Sequence, residues 1–383
     1  MNFKKLIGKV HLFLGLTSGI IVFIISITGC LYAFQEEIQN SIEKFRFVTP
    51  QKTAILPPSQ LQQIATKTLP TKHLHAIMYG TPDQSVQAIF YHFEPYHYFL
   101  VYIDPYTGEV LHVKDMSKDF FRWVLDGHYY LWLPPNIGQP IVASATLVFF
   151  VLLITGIILW WPKNKSAAKQ RFSIKWNAQW RRKNYDIHNV LGFYSSWMIV
   201  VLVITGLVWG FQWFAKGVYL GIGGKKSLEF VEPLSKKVPT NNSEKNVDSI
   251  WKKVLLDSPN AVSVEVHVPE TDSSAIAVNV NYKKGTYWTT DYRYFDQYTL
   301  KELHVSHLYG RFADATAADK LFRMNYDIHV GAIWGITGKV FAFLLSLISA
   351  SLPITGFMIW WGRKNKKKDF SDKKNPYKQL VVK

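Results

Sequence analysis

Long apolar blocks alternate with mixed stretches along this chain. Four runs, about Leu12–Phe34, Pro140–Trp161, Val190–Phe214 and Val340–Trp361, contain no Asp, Glu, Lys or Arg. Each reaches the ~20 residues that a helix needs to cross a hydrocarbon core, and the pattern predicts four transmembrane helices. The polar inserts after the first and third runs have a different rhythm. In the first insert, SQLQQIATKTL (59–69) places apolar residues at helical spacing, SVQAIFYHF and YHYFLVYI alternate with period two, and DPYTGEVL reads as a turn leading into a strand. Pro105 and Gly108 supply the turn chemistry there. The second insert repeats the order more loosely. NVDSIWKKVLLDSP (246–259) reads as a helix, and AVSVEVHV, AIAVNVNY and YRYFD read as strands. DQYTLKEL lacks the Pro and Gly of its counterpart, which weakens the turn prediction.

Short motifs recur in register with this alternation. NYDIH occupies 184–188 and 325–329, and ITG occurs once in every apolar run, at 27–29, 154–156, 204–206 and 354–356. FRWVLDGH ends at His128 and FRMNYDIH at His329, while ITGIILWWPK is answered by ITGFMIWWGRK. We read an internal duplication, each half being helix, insert, helix. The expected organisation is transmembrane helix 1 at 1–34, insert 1 at 35–127, helix 2 at 128–161, a basic loop at 162–187, helix 3 at 188–214, insert 2 at 215–328, helix 4 at 329–361 and a basic tail at 362–383. The fold class expected is a membrane α-helical protein with four core helices and two extracytoplasmic α+β inserts.

The formal net charge of +17 would suit nucleic acid, but its placement argues for a membrane. The basic excess sits before the first run, in 162–189 and after Trp361, where the only acids are Asp186, Asp369 and Asp372. The inserts are nearly balanced. By the positive-inside rule both termini and the middle loop are cytoplasmic and both inserts lie outside, so no nucleic-acid partner is expected. Trp176 and Trp180 give the middle loop the composition of a segment resting on lipid headgroups. A lone cysteine, Cys30, excludes an internal disulfide and a Cys-x-x-Cys-His haem attachment. GIGGKKS at 221–227 lacks the spacing of a phosphate loop.

The candidate chemistry lies in histidines at the helix entrances. His11 and His188 stand at the cytoplasmic starts of helices 1 and 3, and His128 and His329 at the outer starts of helices 2 and 4. Topology therefore sorts them into an inner and an outer pair, each suited to ligating one metal centre; zinc, copper and haem all accept imidazole. Asp126, Asp186 and Asp327 each precede a histidine by two residues, as candidates to hold the other ring nitrogen. His11 has no such acid. Arg122 and Arg323 occupy equivalent positions near the outer pair, and Arg182 and Lys9 lie near the inner one. The Thr-Gly steps read as small residues allowing close approach, with the hydroxyl bonded back into its own helix.

HLFLGLTSGIIVFIISITG, VYIDPYTGEVL, DIHNVLGFYSSWMIVVLVITG and DIHVGAIWGITGK, which together run through nearly the whole chain, resemble the PepSY-associated transmembrane family of iron-regulated inner-membrane proteins. The resemblance implies four core helices, PepSY folds in the inserts and, in some members, b-type haem. It turns the two histidine pairs into axial ligands of two bis-histidine haems b, with Arg122 and Arg323 beside outer propionates. The implied activity is that of a ferric-siderophore reductase in the bacterial inner membrane, with periplasmic inserts. No flavin, nicotinamide or iron–sulfur motif occurs in the sequence, so the electron donor expected is a cytoplasmic reductase or a quinone. The competing expectation is a non-enzymatic scaffold, in which anchored PepSY modules capture a peptide, protease or siderophore.

Overall fold

The structure is a computed structural model and describes residues 3–162, 164–165, 168, 171–236 and 243–373, the side chains of 243–245 and 366–373 excepted. The end of the expected basic tail and parts of the middle loop lie outside the described residues. In chain order the helices are α1 (Phe3–Tyr32), α2 (Gln35–Ile42), α3 (Pro58–Thr68), α4 (Phe120–Tyr130), α5 (Pro135–Trp160), α6 (Trp180–Gly210), α7 (Gln212–Gly221), α8 (Ser243–Asp257), α9 (Ala317–Arg323), α10 (Asn325–His329) and α11 (Gly335–Lys373). The strands are β1 (Leu74–Tyr79), β2 (Val86–Phe93), β3 (Tyr96–Ile103) and β4 (Val110–Asp115) from the first insert, and β5 (Ser263–His267), β6 (Ile276–Asn281), β7 (Asp291–Phe295) and β8 (Glu302–Leu303) from the second. Two compact units result: one within Met1–Ala33, Val124–Phe214 and Ile336–Lys383, the other within Phe34–Trp123 and Ala215–Gly335.

The first unit is a helix bundle. Phe3–Tyr32, Pro135–Trp160, Trp180–Gly210 and Ala332–Asn365 are long and apolar enough to cross a membrane. Helix α5 packs against both α1 and α6. Helix α11 meets α1 where the Cys30 thiol reaches the Phe343 carbonyl, and it meets α6 where the Asn184 amide donates to the Thr355 carbonyl at 3.0 Å. Val22, Phe149, Leu153, Ile199, Val203 and Leu345 form the bundle core.

Three expected boundaries move. Helix α6 begins at Trp180 rather than 188, because Trp-Arg-Arg-Lys and NYDIH continue the helical register without a breaker. His128 belongs to α4, a separate helix from the spanning α5. Leu131 and Trp132 adopt positive φ (55° and 57°) between them, and Pro134–Pro135 restarts the chain as α5. Gly138 makes this corner feasible: a Cβ there would lie 2.0 Å from the Tyr130 carbonyl oxygen. His329 likewise ends the short α10, and Gly331 and Gly335, both at positive φ, separate it from α11.

The second unit corrects the expectation of two separate inserts. All eight strands form one antiparallel sheet in the order β4-β3-β2-β1-β5-β6-β7-β8. The inserts join at its centre, where Ala76 pairs with His267, Ile77 with Val266, Met78 with Glu265 and Tyr79 with Val264. A four-stranded insert alone would leave β1 or β5 as an open edge, and pairing removes both. Helices α3 and α8 cover one face. Leu61, Ala65, Val247, Trp251 and Val254 pack onto Ile77, Val101, Val266, Val278 and Phe295. Ser59 bonds Asp248 through its amide (2.9 Å) and hydroxyl (2.6 Å), tying the two helices together.

The two turns between the last strands of each insert are alike despite their different sequences. Asp104 accepts from the Tyr106 and Thr107 amides, and Asp296 accepts from those of Tyr298 and Thr299. Gly108 takes φ +77° in the first; Leu300 takes φ +58° in the second.

Candidate functional site

Helix α1 carries His11, Gly15 and Gly19 on one face, since positions four and eight apart on a helix stack above one another. That face meets α5, α6 and α11 around a cavity of about 410 Å³, within the range of sites for small molecules and cofactors. His11 enters it from α1 and His188 from α6. The walls are mostly Leu, Ile, Val, Phe and Trp side chains and glycine backbone, with Ser18, Tyr185, Asn189, Ser196 and the Arg363 guanidinium as polar members of the lining. Trp160 and Phe193 stack face to face, 3.5 Å between centroids and 8° between planes, and close one side with aromatic surface.

Each imidazole in the cavity is held by a Thr-Gly step of a neighbouring helix. His11 Nδ1 lies 2.8 Å from Thr155 Oγ1, and His188 Nδ1 lies 2.8 Å from Thr355 Oγ1. The glycine that follows each threonine makes room for the ring: a Cβ on Gly156 would stand 3.5 Å from His11 Cε1, and one on Gly356 would stand 3.3 Å from His188 Cε1. His188 also has a backbone hydrogen bond to Leu352.

His128 has the same surroundings. Its Nδ1 donates to the Ile25 carbonyl at 2.8 Å and lies 3.3 Å from Thr28 Oγ1, while a Cβ on Gly29 would come within 3.2 Å of its Cε1. His329 belongs to the other compact unit. His11 and His188 are therefore brought together around one cavity.

Two of the acids expected behind the histidines, Asp186 and Asp327, serve elsewhere. Asp186 pairs with Arg182 (2.8 Å) and leaves the second nitrogen of His188 to Thr355. Arg182 is thereby engaged outside the cavity. Asp327, fully buried, accepts from the Tyr287 and Trp288 amides at 2.8–3.1 Å and fastens α10 to the β6–β7 loop. The Asp126 carbonyl receives the Trp132 amide at the corner after α4, and the Nδ1 of the neighbouring His128 goes to Ile25. Arg122 lies over the Tyr98 ring at 5.9 Å. Arg323 is buried between Tyr292 and Phe312, with one guanidinium nitrogen on the Thr290 carbonyl and Nη1 unpartnered among the described residues. The Thr-Gly steps are expected to be close-approach positions with hydroxyls bonded back into their own helices, as Thr155 and Thr355 are; sequence reasoning missed that these threonines also meet the histidines and that Arg363 lines the cavity. The recurrence of ITG was the signal for the threonines and glycines; Arg363 follows the second tryptophan pair only, Pro162 and Lys163 following the first.

A second polar group lies where the inserts meet. Glu270 Oε1 is 3.2 Å from His73 Nε2 and 3.6 Å from His75 Nδ1, and the His75 and His267 rings meet edge-on at 4.8 Å. Burial, with His267 beside it, holds the His75 imidazole below its ordinary range. Burial alone would raise the Glu265 carboxyl; hydrogen bonds from His267 and Asn279 outweigh it and hold that group low. Among the described residues no group of three or more His, Cys, Asp or Glu is arranged to hold a bare metal ion.

Among curated proteins none matches the chain. The family model described as the PepSY-associated TM region matches residues 9–363, from within α1 to the far end of the last spanning segment, and the chain belongs to that family.

Proposed function

We propose that this protein is a di-haem b electron-transfer protein of the bacterial inner membrane, a ferric-siderophore reductase. The observation that carries the reading is this cavity: two imidazoles, each held at Nδ1, line one largely apolar, glycine-rich space. That donor set fits a flat macrocycle ligated from both faces. His11 and His188 would hold the inner haem, with Arg363 available to neutralise a propionate. The second haem rests on the sequence pairing of His128 with His329. When bound, bis-imidazole haem supplies a reversible one-electron iron couple with no open position for oxygen.

The chain's own residues do the rest. The threonines orient the rings, the glycines admit a planar group, and the Trp160–Phe193 stack keeps water from one wall. The net reaction moves one electron from a cytoplasmic reductase or a quinone to a chelated ferric ion outside. The ferrous product binds hard oxygen ligands less tightly and is released for uptake. The basic termini and middle loop support cytoplasmic ends and periplasmic inserts.

A reduced-minus-oxidised absorption spectrum of the purified full-length protein tests the reading. A reducible b-type band is expected, and His11→Ala and His188→Ala should each lower the haem-to-protein ratio. Colourless wild-type protein would end the proposal and leave an anchored PepSY scaffold.

A further inference from the structure

Resting on the haem reading, we infer that Thr155 and Thr355 are positioning residues: each hydroxyl fixes the tautomer of the imidazole facing it and so commits Nε2 as the lone-pair donor to iron. A threonine hydroxyl has one hydrogen to give. Thr155 Oγ1 lies 2.9 Å from the Val151 carbonyl oxygen and 3.1 Å from that of Leu152. A carbonyl can only accept, so the hydroxyl hydrogen lies on that side. Toward His11 Nδ1, at 2.8 Å, the oxygen presents a lone pair, and Nδ1 must carry the proton. Thr355 repeats the arrangement, with the Ser351 and Leu352 carbonyls at 2.9 and 3.1 Å and His188 Nδ1 at 2.8 Å.

His128 reaches the same tautomer through a different acceptor. Its Nδ1 lies 2.8 Å from the Ile25 carbonyl, which leaves no choice of donor, and Thr28 gives its own hydrogen back to the Ile24 carbonyl at 2.8 Å. Three rings in the bundle are thus set with the proton on Nδ1. In metal sites the group behind the ligand commonly does this work, and its loss costs about ten- to a hundred-fold in affinity. Here a neutral hydroxyl takes the place that a carboxylate often fills. The ligand stays a neutral imidazole, and no buried charge is added to the bundle.

The test uses the full chain labelled with ¹⁵N-histidine, prepared without haem, and then titrated with haem. Nitrogen shifts of His11 and His188, assigned with the single His→Gln variants, should show protonated Nδ1 and bare Nε2; protonated Nε2 in either ring would overturn the inference. Thr155→Val and Thr355→Val keep the side-chain shape and remove the acceptor. Thr155→Val should weaken haem binding roughly ten- to a hundred-fold and Thr355→Val less, since His188 keeps its backbone bond to Leu352, and Thr→Ser at the same sites should restore it. Valine variants with unchanged affinity and unchanged midpoint potential would also overturn it. Wild-type protein with the expected tautomers that takes up no haem would remove the haem reading while the tautomer assignment stands.

Discussion

The His188 ring lies against Gly356, and nothing larger fits behind it without moving the ring. A Cβ there already comes within 3.3 Å of Cε1. Gly356→Leu should push the imidazole from its threonine and strip haem from the inner site, while the same change at exposed Gly217, where a Cβ meets nothing within 4 Å, should leave the haem content as it is. Absorbance per milligram of purified protein reads both. The histidines were legible because NYDIH occurs twice at the mouths of apolar runs. Their partners were not. Asp186 precedes His188 by two residues, and on a helix such neighbours point to different sides, so the acid nearest in sequence is a poor candidate to hold the ring. The group that holds it, Thr355, lies on another helix. Its repetition showed in the sequence, but what it faced did not.

At the scale of elements, the turns after β3 and β7 show how one conformation survives a change of residue. Gly108 and Leu300 both sit at positive φ, where a side chain costs about 1–2 kcal/mol. A Cβ on Gly108 would also meet Ile64 Cδ1 at 2.8 Å. Gly108→Ala should therefore destabilise the sheet unit by about 1–2 kcal/mol or more, measured by denaturant unfolding. The Pro and Gly of DPYTG announced the first turn. The second rests on Asp296 and its two amide bonds, a cue shared with many loops. Strand β1 was harder still: its register shifts between Leu74 and Ala76, which breaks the alternation that marks a strand. Beside that irregularity His75 faces His267, Glu265 and Glu270, with His73 also on Glu270. The folded state holds His75 below its unfolded value of 6.5, so below that pH the unfolded chain binds a proton that the folded chain resists. Stability should fall as pH drops from about 7 to about 5, and Glu265, held low in the folded state, acts with the same sign at still lower pH. His75→Gln should flatten the upper part of the slope, as read by thermal unfolding of the purified protein across that range.

For the whole molecule, four spans could be read directly because uncharged runs of that length have few other uses. The division into helix bundle and inserts followed from the same pattern. That the inserts make one sheet did not, because each contains a complete helix-and-strand order and nothing local marks β1 and β5 as partners. Their union has a consequence for how the molecule comes into being. During synthesis the first insert is finished long before its complement exists, and strand β1, paired with β2 on one side, must wait with its other edge open while α5, the middle loop and α6 are made. A chain severed near Ser173 should therefore yield two fragments that are soluble in detergent only when produced together and that co-purify through a tag on either one. Fragments that each behave as well-folded monomers on their own would contradict this. The two halves, however alike in sequence, are then not independent modules, and the wait exposes a sticky edge that the cell must shield until the second half arrives.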